Sequence, residues 1–171
     1  MVAGILLRME ALTASWSTQL TVLLTVAYAM GLGGLIGWER ELKDRPAGFR
    51  THMLIAGAAA LLVGLGDLLG IRFSGNEYRE LVRVDPLRVI EAVVAAVGFL
   101  GAGAIFRRTG GSGVTGLTTA ASMLMAAAIG IATGLHGYLL AIGITLLTLV
   151  VLWLLRIIER RIEARRERKG G

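Results

Sequence analysis

The sequence predicts an all-α fold, a polytopic membrane bundle of about five transmembrane helices, and three observations carry that prediction. Of its 171 residues, 55% are hydrophobic and 18% are charged, and the mean hydropathy of +0.70 lies far from that of ordinary soluble domains. Five apolar segments reach or approach the roughly 20 residues needed to cross about 30 Å of hydrocarbon. Aromatic residues stand at the ends of these segments, where an amphipathic ring fits the boundary between lipid and water.

Residues 1–16, MVAGILLRMEALTASW, hold one short apolar run with Arg8 as the only basic residue. That is too little for the charged start and full apolar core of a signal peptide, so a short interfacial segment is expected. Residues 17–155 form the transmembrane domain, with spans at 17–38, 52–70, 87–106, 116–133 and 138–155, the fourth being the shortest. Trp16 and Trp38 bracket the first span, and Tyr138 and Trp153 bracket most of the fifth. Residues 156–171 continue the fifth helix as a basic tail, which fixes orientation and touches lipid headgroups.

Basic residues in short loops stay on the cytoplasmic side. With the N-terminus outside, thirteen of the 18 Lys and Arg fall on the cytoplasmic side and five, Arg8, Arg72, Arg79, Arg83 and Arg88, on the outer side. The C-terminus is then cytoplasmic, and a bacterial inner membrane is the expected location. The net charge of +6 is accounted for by anionic lipid beside the spans, and no nucleic-acid partner is expected. The absence of cysteine excludes disulfides, thiolate metal sites and thiol nucleophiles. No metal cluster, nucleophile-base pair or phosphate-cradling loop is present, so neither an enzyme nor a cofactor is expected. The one glycine string, GLGGLIG, lies within a span.

Glycine recurs at four-residue spacing, as Gly33 and Gly37, Gly66 and Gly70, and Gly130 and Gly134. In lipid such spacing allows helix backbones to approach closely. Five helices make a thin bundle, and exposed small-residue faces would pair in a homodimer. Gly98, Gly101 and Gly103, in GFLGAG, are denser still; they either pack or break the third helix to line a cavity. AGFRTHMLIAGAAA from Ala47 and TGLTTAASMLMAAA from Thr115 echo one another. That echo points to a parallel repeat of two helical hairpins, helices 1–2 and 3–4, with the second and fourth helix entrances across a shared axis.

The stretch GWERELKDRPAGFRTH, residues 37–52, gathers seven charged side chains and a histidine between two apolar runs. Glu39, Arg40 and Glu41 end the first span, while Arg50, Thr51 and His52 open the second. The turn at Pro46 and Gly48 brings these ends together. Either this is a solvated loop in which Glu39 or Glu41 pairs with Arg50, or the charges face each other at a wet, functional site. Lys43, Asp44 and Arg45 read as the solvated tip. His52 can switch charge near neutrality, but it has no second nitrogen ligand nearby. Glu39 and Glu41 point about 200° apart on a helix, so they do not readily grip one magnesium ion. Glu91 lies one turn inside the third helix and either pairs with Arg88 or acts as an intramembrane functional carboxylate. Thr118 and Thr119 are either packing hydroxyls or the lining of a polar path opposite Arg50 and Thr51.

Taken together, GLIGWERE, AGFRTH, DPLRVIEAVVAAVGFLGAG and GLTTAASMLMAAAIG resemble the membrane domain of the MgtC/SapB family, in the family's order from about Gly31 to Gly137. Within the turn, the resemblance falls on Glu39, Arg40, Gly48, Arg50 and Thr51. It implies a bacterial inner-membrane protein linked to growth under magnesium limitation and, in pathogens, to virulence. It also implies a membrane-protein partner such as the proton-translocating ATP synthase. Many relatives carry Trp in the fourth span where this chain has Leu124, so a role for that indole does not transfer. Longer relatives carry a soluble C-terminal domain where this chain has a basic tail. Two functions follow: a non-enzymatic regulator of ion homeostasis or of another membrane complex, or a small ion or solute transporter whose polar path passes Glu91 and the Glu39/Arg50 cluster.

Overall fold

In the computed structural model the backbone is described for residues 2–72, 85–107 and 114–170, and side chains chiefly for 16–69, 87–105 and 114–154. Five helices follow in order: α1 (Val2–Glu41), α2 (Phe49–Arg72), α3 (Pro86–Gly103), α4 (Leu117–Gly134) and α5 (Tyr138–Gly170). Between α3 and α4 a two-residue antiparallel pair forms, β1 (Phe106–Arg107) on β2 (Val114–Thr115). Among the described residues, three helices are long and apolar enough to cross a membrane, at Trp16–Glu41, Phe49–Leu69 and Leu117–Gly134, and Tyr138–Leu154 is a shorter apolar helix.

Several boundaries differ from those read in the sequence. Helix α1 is continuous from Val2, with no interruption at residue 16. Helix α3 stops at Gly103, three residues short of the predicted span, because Phe106 has already entered β1. GFLGAG contains no break: α3 runs through Gly98 and Gly101 and ends after Gly103. Among the orientation signals, the side chains of Arg8, Arg72, Arg79, Arg83, Arg107, Arg108 and the tail cations lie outside the described residues.

Local chemistry explains the helix ends. Asp85 Oδ1 accepts the Leu87 amide at 3.0 Å, and Pro86 follows in the first helical position, where its missing N–H costs nothing. Gly116 takes φ +94° ahead of α4, and a side chain there would strike the Ala104 carbonyl, so glycine is required. The turn from α4 to α5 closes with Gly137 N–H donating to Ala132 O at 2.8 Å and His136 N–H to Thr133 O at 2.9 Å. This is the bond pair that terminates a helix through a left-handed residue. That residue is His136, with φ +61°.

Helices α1, α2 and α4 pack on one another and form the central seam; α5 lies on α4 and α1, and α3 on α4 and α2. The seam is built of small side chains, with Ala29, Ala56, Ala59, Ala60, Ala126 and Ala127 essentially inaccessible. Its glycines have no room to grow. A Cβ on Gly33 would lie 2.6 Å from the His52 carbonyl oxygen, one on Gly37 2.7 Å from the Gly48 carbonyl oxygen, and one on Gly130 would collide with the Ala56 carbonyl oxygen. Close backbone approach of this kind, dense in van der Waals contact, holds helices together where lipid removes the hydrophobic drive. It also brings the end of α1 and the starts of α2 and α4 to one end of the bundle.

Candidate functional site

At that end the turn from α1 to α2 packs against the first turn of α4. Arg40 is 4% exposed, and its Nη2 donates to Thr119 Oγ1 at 3.2 Å. A buried guanidinium without partners would be costly, so this bond ties α1 to α4. His52 is wholly buried. Its Nδ1 lies 2.9 Å from the Gly48 carbonyl oxygen and its Nε2 2.9 Å from Ser122 Oγ, which ties α2 to α4.

The hydrogens available limit how this second tie is made. A carbonyl oxygen only accepts, so the Nδ1 hydrogen points at Gly48. Ser122 Oγ also lies 2.8 Å from Thr119 O, yet a hydroxyl has a single hydrogen. With a neutral ring, Ser122 serves either Nε2 or Thr119 O; with both ring nitrogens protonated, both bonds form.

The carboxylates of the turn are used differently from the sequence expectation. Glu39 pairs with Lys43 one turn on, both side chains being about four-fifths buried, and Lys43 Nζ also donates to Leu152 O of α5 at 3.4 Å. Lys43 is thus part of the packed cluster and not of its solvated tip. Glu41 Oε2 accepts the Phe49 N–H at 2.7 Å, satisfying a free amide at the start of α2. That carboxylate fills the space beside Gly48, where a Cβ would lie 2.6 Å from it. With both glutamates engaged, Arg50 points outward and is exposed, and Thr51 is half-buried.

The remaining candidates separate. Thr119 is in the cluster, whereas Thr118 is exposed one residue away and lines an apolar groove of about 480 Å³ between α4 and α5. Gly101 faces α4, with a Cβ there 3.3 Å from that of Ala120, while Gly98 and Gly103 have nothing within 4 Å. Glu91 is exposed on α3 and does not pair with Arg88, whose guanidinium lies 3.8 Å from Asp85. Among the described residues no group of three metal-ligating side chains occurs. Sequence reading missed Ser122 because a lone serine in an apolar span carries no motif; its position facing His52 arises from the packing of α2 on α4.

Comparison with known proteins bears on these same elements. The MgtC family model matches residues 23–161. The protein SapB of Bacillus subtilis is 35% identical over 148 residues, covering 86% of this chain and 62% of its own. The protein MgtC of Brucella abortus is 38% identical over 146 residues, covering 85% and 56%. YhiD of Escherichia coli K12, provisionally named a magnesium transporter, is 40% identical over 124 residues, covering 70% and 53%. The chain therefore spans little more than half the length of these relatives. No solved structure matches it.

Proposed function

Because the chain belongs to the MgtC family, we propose that it is a non-enzymatic membrane regulator of magnesium-linked ion homeostasis. In this reading it acts by docking the outward face of α3 against another membrane protein. The observation that carries the reading is the contrast among its glycines. A Cβ on Gly33, Gly37 or Gly130 of the seam meets neighbouring backbone, whereas one on Gly98 or Gly103 of α3, as on Gly31 and Gly143, meets nothing within 4 Å.

Glu91, Ala95, Gly98 and Ala102 recur at helical spacing on α3 and are all exposed, so they form one face. The helix, at 18 residues, is about 27 Å long, close to the hydrocarbon thickness. Its face therefore meets lipid or a partner. A carboxylate among small residues within the membrane selects a partner that supplies a cation or a donor. A two-fold copy of this chain would bring one Glu91 toward the other, and like charges repel strongly at low dielectric. A different protein is thus favoured over the homodimer. A complex such as the proton-translocating ATP synthase is the candidate that the family resemblance supplies.

The transport alternative needs a path joining Glu91 to the turn cluster. Glu91 lies on the outside of α3, while Arg40, His52, Thr119 and Ser122 are packed among α1, α2 and α4, and that separation favours regulation. Because the chain contains no cysteine, a Gly98→Cys variant carries one reactive thiol for crosslinking in native membranes. Regulation predicts one adduct with a distinct membrane protein, reduced by Glu91→Gln. A self-adduct alone, or Mg²⁺ or H⁺ flux by purified protein in liposomes that Glu91→Gln abolishes, would overturn it.

A further inference from the structure

The other end of the bundle contains an unassigned cavity of about 240 Å³ between α1, α2 and the turn from α4 to α5. One wall is a hydroxyl-bearing face of α1, with Ser17, Thr21 and Thr25 at four-residue spacing; opposite stand Asp67 of α2 and His136 of the turn. Thr21 Oγ1 donates to Ser17 O at 3.0 Å, so its hydrogen is used within the helix and its lone pairs remain for the cavity. At the inner limit, Thr25 is 6% exposed and shares a 3.3 Å hydrogen bond with Tyr138 Oη. Below that bond lies the alanine seam, with Ala29 and Ala56 inaccessible.

The ring of His136, set by the left-handed turn that ends α4, stands edge-on to Tyr138 at 6.0 Å. Asp67 is exposed on an otherwise apolar stretch of α2, so its carboxylate at the cavity rim is open to an incoming charge. The chemistry of the lining restricts the ligand. One carboxylate with hydroxyl lone pairs offers acceptors, which suits a positive charge surrounded by hydrogen-bond donors. It is too few ligands to strip a metal ion of its water, and no group of three metal-ligating side chains is found among the described residues. Magnesium in particular gives up its water reluctantly.

We propose that this cavity is an outer-sphere site for a small cation that keeps a shell of O–H or N–H donors, a hydrated divalent ion or an ammonium group. The donors face the α1 hydroxyls and the charge faces Asp67. The site lies on the opposite side of the bundle from the charged turn, so the two ends would meet different solutions.

The test is calorimetric titration of the full chain in phosphatidylcholine nanodiscs, whose headgroups carry no N–H donor. The probes are MgCl₂, hexaamminecobalt(III), whose ammonia shell does not exchange, and methylammonium chloride. The site predicts saturable binding of hexaamminecobalt(III) in competition with at least one of the other two. Asp67→Asn should weaken it at least about tenfold, through loss of a charge-assisted bond, and Thr21→Val should weaken it severalfold. Asp44→Asn, in the turn at the far end, should leave it unchanged. If ethanolamine lipid added to the disc displaces the probes, the natural ammonium source is the headgroup; if not, it is a soluble cation. Magnesium binding that hexaamminecobalt(III) cannot displace would mean direct coordination and would overturn the proposal. So would the absence of saturable binding, or binding unaltered by both Asp67→Asn and Thr21→Val. If Asp67→Asn does not fold, Thr21→Val alone decides. The assay contains no partner protein, so its failure leaves docking of α3 untouched, and failed docking leaves this site untouched.

Discussion

The α1–α2–α4 seam and the outward face of α3 are written in nearly the same alphabet of glycine and alanine, yet they have opposite surroundings. In the seam, added Cβ atoms on Gly33, Gly37 and Gly130 run into backbone carbonyls, while on α3 those on Gly98 and Gly103 meet empty space. The polar residues divide in the same way. Arg40 and His52 are buried and bonded to α4, whereas Glu91 is exposed. Small residues thus state only that a backbone can be approached closely; neighbouring helices decide whether the approach is made within the chain or left for another.

The largest expected effect breaks the seam. Gly130→Leu forces a side chain into the Ala56 carbonyl and should destabilise the protein by about 3 kcal/mol, through overpacking with no flexible neighbour to yield. Thermal unfolding in one detergent measures this, and an unchanged midpoint would contradict the seam. Next come the polar ties. Thr119→Val withdraws the acceptor from Arg40 and Ser122→Ala the partner of His52 Nε2; each should cost about 1–3 kcal/mol, because a buried polar group is left unsatisfied. Equal tolerance of both variants would show that the cluster does not hold α4. The smallest effect belongs to the outward-pointing members of the same motif. Arg50→Ala and Thr118→Val should each change stability by less than about 0.5 kcal/mol; a loss as large as that of Thr119→Val would place them inside the cluster after all.

The sequence announced much of this. Apolar length and interfacial aromatics indicate the five helices and, apart from the start of α1 at Val2, place most of their ends within about three residues, and the charged turn beside Gly33 and Gly37 is legible as a meeting of α1 and α2. What could not be read was which neighbour each side chain would find. Arg40 and Arg50 are equivalent in composition, but one faces α4 and the other solvent, and Thr118 and Thr119 divide in the same way because adjacent helical positions lie about 100° apart. Lys43 reads as solvated in the sequence for the same reason: only the path of α5 brings the Leu152 carbonyl within its reach. The cavity near Asp67 is not legible in the sequence because its walls come from α1, α2 and the turn from α4 to α5, and no segment carries its pattern alone.

The central claim, that α3 presents its unfilled face to a partner, is tested most directly by Gly98→Leu, compared with the parent chain for partner recovery per folded molecule from native membranes. With nothing within 4 Å of Gly98, the account predicts an unchanged unfolding midpoint together with loss of the partner. Full recovery of the partner with the leucine in place would contradict it.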